Sequence, residues 1–262
     1  NEVFLDSATL RENVVALARN IGYLPRAKKA AISTINFFVD TSNVSPTPSS
    51  LTLKKGPVAS TGNQFGGQSF VFSLSEDKTV PIIDSVASFD ELDVYEGSLV
   101  NQSFTKSDRN LEQRFILNNA GIDISTLKVT VKENSASSVS VNYTRQEDLF
   151  SENDGTTVTG SSPIYFIQEI EDEQYELIFG DGIFGKKLSD GNVIEVSYIV
   201  TNGDSANGIA NLTFSGRLTY VRNSVEYVVT SGISLISTFG SSSGGEQIES
   251  VESIKKFAPF QY

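Results

Sequence analysis

Near the start of the chain apolar residues recur at three- and four-residue spacing. Leu10, Val14, Leu17, Ala18 and Ile21 fall on one stripe, the pattern of an amphipathic helix. Thr9-Leu10-Arg11-Glu12 precedes the stripe in capping-box form, with Thr9 placed to accept from the amide of Glu12. Gly22 suits a left-handed C-cap, and Pro25 follows where a helix cannot continue. The stripe needs a partner surface, either its own domain or another subunit.

After Lys28-Lys29 the period changes. Ser, Thr, Asn and Gly dominate, and short β-rich runs recur, which predicts a mainly β architecture of sandwich or barrel type. Strands are expected at residues 32–39, 69–74, 79–87 and 92–100, a loop at 43–50 with Pro46 and Pro48, and a turn at 64–68 around Gly66-Gly67. Alternation is cleanest in the middle third. Leu127, Val129 and Val131 oppose Lys128, Thr130 and Lys132, and Val139, Val141 and Tyr143 oppose Ser140, Asn142 and Thr144. The polar stretch 133–138 between them predicts a hairpin. A second hairpin is expected from 164–170, the acidic turn Glu171-Asp172-Glu173 and 175–179. Asp181-Gly182 and Asp190-Gly191 are turn dipeptides, and 192–200 reads as a long strand with Ile194, Val196, Tyr198 and Val200 on one face.

Residues 202–211 (NGDSANGIAN) form a loop rich in Gly and Asn, and strand character returns at 212–221, 224–229 and 233–239. The Ser-Gly stretch 241–245 breaks it. Ile248, Val251 and Ile254 then sit at helical spacing, which predicts a helix running toward Tyr262. The fold class expected is α+β, mainly β with a helix at each end.

Composition narrows the chemistry. The chain has 262 residues, 20 Lys+Arg against 32 Asp+Glu, and a formal net charge of −12. Hydrophobic residues make up 39%, enough for a real core. The acidic balance argues against nucleic acid, whose binding is driven by Lys and Arg. No apolar run approaches the roughly 18 residues of a membrane-spanning helix, and no signal peptide is visible. His, Cys, Met and Trp are absent, so disulfides, thiolate metal sites, His-ligated metals and Ser-His-Asp triads are excluded. The missing Met, with a helix near the end, leads us to expect a central piece of a longer chain.

Three stretches invite a chemical reading, and each has a plainer one. Glu169, Glu171, Asp172, Glu173 and Glu176 offer paired carboxylates, but their position across a hairpin turn predicts solvated charge. Asn202–Gly208 fails the calcium-loop template at Ala206, Asn207 and Thr213. Gly180-Asp181-Gly182-Ile183-Phe184-Gly185-Lys186 lacks the Lys-Ser/Thr pair of a phosphate loop and reads as a tight turn. The pairs Lys28-Lys29 and Lys54-Lys55 read as solvated charge. No catalytic residue, metal or cofactor is expected.

Blocks 4–31 (FLDSATLRENVVALARNIGYLPRAKKAA), 193–211 (VIEVSYIVTNGDSANGIAN) and 244–256 (GGEQIESVESIKK), in this order and spacing, together resemble the ring-forming baseplate wedge proteins of T4-like contractile-tailed phages, within the wider baseplate J-like family. Residues 165–185, a hairpin followed by a Phe-Gly-acidic-Gly turn, fit the same pattern, while about 44–78 gives no anchor. The resemblance implies a non-enzymatic protein of the virion tail, assembled in the host cytoplasm. It would form a homodimer within each wedge, link wedges into a ring around the tail hub, and contact other wedge subunits and hub proteins. It also implies a division into 1–31 (helix and linker), an outer β domain of 32–104 plus 202–240, an inserted β domain of 105–201, and 241–262 as the start of a helical segment. Leu10, Val14, Leu17, Ile21, Ile248, Val251 and Ile254 are then candidate subunit contacts, with no nucleic acid or membrane partner. Two other readings remain: a carbohydrate- or receptor-binding β module of a phage tail, drawing on the 17 Phe and 9 Tyr, and a hydrolase using the acidic cluster.

Overall fold

Two β-sheets, a pair of short α-helices and three 3-10 turns make up the regular structure of residues 4–62, 65–146 and 158–260, which the computed structural model describes. Helix α1 (Arg11–Asn20) comes first. Strands β1 (Ile32–Asp40), β2 (Ser50–Leu53), β3 (Gly56–Ser60), β4 (Val71–Leu74), β5 (Lys78–Ile83) and β6 (Val86–Glu96) then open the first sheet. The next seven build the second sheet: β7 (Ser98–Thr105), β8 (Phe115–Leu117), β9 (Ile122–Lys132), β10 (Ser140–Arg145), β11 (Ile164–Glu169), β12 (Tyr175–Phe179) and β13 (Val193–Val200). The chain returns to the first sheet with β14 (Thr213–Phe214), β15 (Leu218–Arg222), β16 (Val225–Val229) and β17 (Ser237–Thr238), and ends in helix α2 (Val251–Phe257). The protein is mainly β with helices near both ends, as its periodicities require.

The first sheet has ten strands, ordered β14-β3-β4-β6-β5-β2-β15-β16, with β1 antiparallel to β6 and β17. Its core gathers Ile35, Phe37, Leu51, Leu53, Phe72, Phe89 and Val94. Phe37 stacks on Phe89 with ring centroids 4.7 Å apart, a contact worth about 1 kcal/mol beyond the area it buries. The second sheet runs β7-β13-β9-β10-β11-β12-β8. It is nearly closed, because its two end strands meet: Gln102 Nε2 donates to the Ile116 carbonyl at 2.9 Å, and Phe104 meets Phe115 edge-on at 5.6 Å. Such curling removes exposed sheet edges. Phe179 fills the interior, packing its ring on Phe115, Tyr143 and Tyr165.

Both hairpins expected in the middle third are present. In β9–β10, Val131 pairs with Val141 and Val129 with Tyr143; in β11–β12, Tyr165 pairs with Phe179 and Ile167 with Leu177. The run 79–87 is broken at Asp84-Ser85, whose φ values of 49° and 64° make a two-residue turn between β5 and β6. The run 92–100 is broken at Gly97, with φ of 124°. There the chain leaves one sheet for the other, so residues 98–104 belong with the second sheet: β7 pairs with β13 along its whole length, from Ser98–Val200 to Thr105–Val193. Within 233–239 Ser237 and Thr238 pair with Asn36 and Ile35, and Ile233 makes a single antiparallel bridge to Val39. The turn expected at 64–68 closes as a bridge between Phe65 and Gln68; Gln64 and Tyr262 lie outside the described residues.

Candidate interaction site where helices and sheets meet

Helix α1 starts one residue later than its capping box predicts, with Leu10 in the N-cap position. Its other end follows expectation. Gly22, at φ 83°, donates its N–H to the Arg19 carbonyl at 2.9 Å, and Tyr23 donates to Ala18 at 2.9 Å. These are the two bonds of a Schellman cap. Helix α2 begins at Val251, where the Ser250 hydroxyl accepts from the Ser253 N–H at 3.2 Å. Its last turn holds Lys255 and Lys256, which suit the negative end of the helix.

The two helices pack on each other. Val14, Val15, Ala18, Ile254, Ala8 and Ala258 are buried between them, flanked by the half-buried Leu17, Ile21 and Val251. Of the seven candidate contact residues, Val14, Leu17, Ile21, Val251 and Ile254 thus meet within one chain. Ile248 is half-buried in the strand-like segment before α2, and Leu10 stays 54% exposed. Around the pair Phe4, Leu24, Phe257 and Phe260 are also exposed, and with Leu10 they give it an apolar outer rim.

Charged side chains fasten this pair to the rest. Arg11 reaches the buried Glu169 at the end of β11, Nε to Oε1 at 2.6 Å and Nη2 to Oε2 at 3.4 Å, and also donates to the Glu249 carbonyl. Sequence pattern placed Glu169 in a solvated acidic turn. It is instead an inward residue of β11, 5% exposed at its side chain. Glu176 in the same cluster is held by a two-bond contact to Arg114, at 2.9 and 2.7 Å.

Glu249 is the second anchor. Its carboxylate accepts from the Tyr23 hydroxyl at 2.7 Å, the Arg26 N–H at 3.0 Å and the Ser253 hydroxyl at 2.6 Å. Burial alone pushes this carboxyl up, but the bonds from Ser253, Arg26 and Tyr23 and the charge of Arg26 outweigh it and hold the group below its ordinary range. The ionised form is thus favoured by folding. Its contribution is complete above the unfolded carboxylate range and is lost as pH falls through the lower folded value. Acidification should therefore loosen the helix pair, and Glu249→Gln should flatten that part of the pH dependence; amide hydrogen exchange of α2 from pH 6 to pH 3 measures both.

A buried carboxylate also marks the place where the chain crosses between the sheets. Glu96 accepts from the Thr201 hydroxyl at 2.6 Å, the Asn202 N–H at 2.9 Å and the Asn202 side-chain amide at 2.7 Å. Both crossing strands, 96–98 outward and 200–202 returning, are tied at one point. Asp123 binds the linker from α1 through the Ala30 N–H at 2.8 Å. Asn207 exchanges two 2.9 Å bonds with Gly245, and Gln247 donates to the Asn202 carbonyl and to Asp204. Blocks 4–31, 193–211 and 244–256, far apart in sequence, therefore converge on one junction.

Elsewhere the surface offers less. Among the described residues no cluster of His, Cys, Asp or Glu could hold a metal ion, and no helix is long and apolar enough to cross a membrane. A cleft of about 930 Å³ separates the turn 75–77 from the polar face of the second sheet and is bridged by the ion pair of Lys128 with Glu76. Its one aromatic lining residue, Tyr143, is buried, so the cleft presents no aromatic platform of the kind a sugar ring stacks on.

No family model matches the chain. The chain is 25% identical over 236 residues to baseplate wedge protein gp6 of Enterobacteria phage T4, a match taking in 84% of this chain and 33% of that protein. It thus spans about a third of the length of the curated relative it matches. The chain is distantly related to a phage baseplate protein.

Proposed function

We propose that this chain is a non-enzymatic, structural part of a phage tail baseplate wedge. In this reading it pairs with a second copy and with other wedge subunits, helps link wedges into a ring around the tail hub, and has no nucleic acid or membrane partner. The observation that supports it is the junction: the three blocks that resemble wedge proteins are tied together there, 4–31 to 244–256 through Glu249, and 193–211 to 244–256 through Asn207 and Gln247. A protein that carries force between partners needs such cross-tied elements more than a cleft. We further propose that residues 98–200 form a domain inserted into an outer one, a division supported by the sheet membership of β7 to β13.

The apolar rim of the helix pair is the proposed contact with wedge partners. Leu10 and Phe260 are exposed within one chain, so Leu10→Asp with Phe260→Asp should leave stability within about 0.5 kcal/mol. Co-purification of the protein with the other wedge chains should fall at least tenfold. The overall reading is tested by locating the protein in a reconstruction of the intact tail. Density in a closed ring around the hub supports it; a place at the tail periphery, or absence from the virion, overturns it.

A further inference from the structure

The hairpin of β15 and β16 runs past the sheet that anchors it. Strand β2 pairs with β15 only at Leu218 and Thr219, whereas β15 and β16 pair from Leu218–Val229 out to Arg222–Val225. The turn is Asn223-Ser224, with φ of 50° and 62°, the two-residue type that matches strand twist. Residues 221–228, all exposed, thus form a projecting arm, with Tyr220 at its base packed against the core of the first sheet. On it Val221, Val225, Tyr227 and Val228 are 43–68% exposed, and Tyr220 stacks on Tyr227 at 5.3 Å. A bare two-stranded ribbon is marginally stable in water, and β16 is the last strand of its sheet.

The pairing fixes which backbone groups face outward. Across a two-residue turn Arg222 and Val225 form a hydrogen-bonded pair, and alternation along an antiparallel ladder makes Tyr220–Tyr227 and Leu218–Val229 hydrogen-bonded too. The N–H and C=O groups of Glu226 and Val228 therefore point away from β15. Among the described residues no other strand meets them. The edge asks for an extended strand.

We propose that a second copy of this chain supplies it, the two β16 strands pairing antiparallel about a two-fold axis at Tyr227. This register sets Glu226 against the partner's Val228, and Val228 against the partner's Glu226, so every outward group on both strands is paired. Centring on Glu226 would oppose two like charges. Centring on Val228 would leave Glu226 facing residue 230, beyond the end of the strand. Charge permits the contact as well. Residues 218–229 carry only Arg222 and Glu226 and are neutral in a chain of net charge −12, and Glu226 is already bonded by Arg217 at 2.9 Å. The inference stands on the hairpin alone. A baseplate protein whose copies meet elsewhere would fail its test with the baseplate role intact.

Because the chain has no Cys, Tyr227→Cys introduces a single thiol. Residues facing across a non-hydrogen-bonded position lie with Cα atoms about 4.5 Å apart, within reach of a disulfide. Mild oxidation should convert most of Tyr227→Cys to a covalent dimer and little of Val225→Cys, which the register places away from its own copy. Sedimentation equilibrium of the unmodified chain should show a concentration-dependent dimer. Val228→Pro, which removes an outward N–H and no bond to β15, should raise its dissociation constant at least tenfold. A chain that stays monomeric, equal cross-linking of the two cysteine variants, or a dimer indifferent to Val228→Pro each overturns the proposal. The cysteine comparison reads the register even if the proline variant does not fold.

Discussion

Arg11→Ala is expected to destabilise the chain by about 3–5 kcal/mol, the usual result of removing one partner from a buried ion pair. The reason is what remains behind. Glu169 sits at the end of β11 with 5% of its side chain exposed, and Arg11 is the cation that meets it. Without the guanidinium, a carboxylate stays buried beside Tyr175, whose hydroxyl is itself raised well above its ordinary range, chiefly by burial and then by the charge of Glu169. The same substitution removes the donor to the Glu249 carbonyl, so the start of α1 loses its hold on the second sheet and on the segment leading into α2. Urea denaturation gives the size of the effect. Its origin is read from a cycle with Glu169→Leu: the double variant should recover at least half of the loss, because the stranded charge is gone. A double variant no more stable than Arg11→Ala would mean that the lost contacts of Arg11, and not the buried charge, set the cost.

Local periodicity was enough for most strands and for none of the ties between them. The alternation of Leu127, Val129 and Val131 is legible because one face of β9 is buried, and such a face imposes a two-residue period on the sequence. The stripe of α1 is legible for the same reason, but a stripe does not name its partner. That Val14 and Ile254 meet depends on a return of the chain from residue 240 onward that no local pattern encodes. Arg11 and Glu169 lie 158 positions apart, and Glu96 and Thr201 lie 105 apart. In each case the sequence shows only an ordinary charged residue. Asp123 and Glu249 are unmarked in the sequence for the same reason. One signal is legible. Gly97 stands inside an otherwise continuous strand pattern, where glycine commonly marks a close approach of two backbones.

Gly97 is also where the second large effect is expected. Its φ of 124° belongs to a region that side chains rarely adopt, and a Cβ there would lie 2.2 Å from the Val200 carbonyl oxygen. The clash is with backbone, so no rotamer relieves it; the outgoing and returning crossings must move apart. Strain of about 1–3 kcal/mol for the φ value and a similar amount for overpacking put Gly97→Ala on the order of 4 kcal/mol less stable. Gly191 supplies the control. Its φ is also positive, at 82°, but a Cβ there meets nothing within 4 Å, so Gly191→Ala should cost about 1 kcal/mol. The damage should also be local. Separating the crossings pulls Thr201 and Asn202 from Glu96, while the Ile194, Val196 and Tyr198 core of the second sheet is untouched. Limited proteolysis of Gly97→Ala should accordingly cut first near residues 96–98 and 200–202, and Glu96→Ala, which unties the same two strands without the steric clash, should be cut at the same places. Equal stability of the two glycine variants would show that the crossing is not tightly packed. Cleavage spread evenly through both sheets would show that the junction does not hold them together.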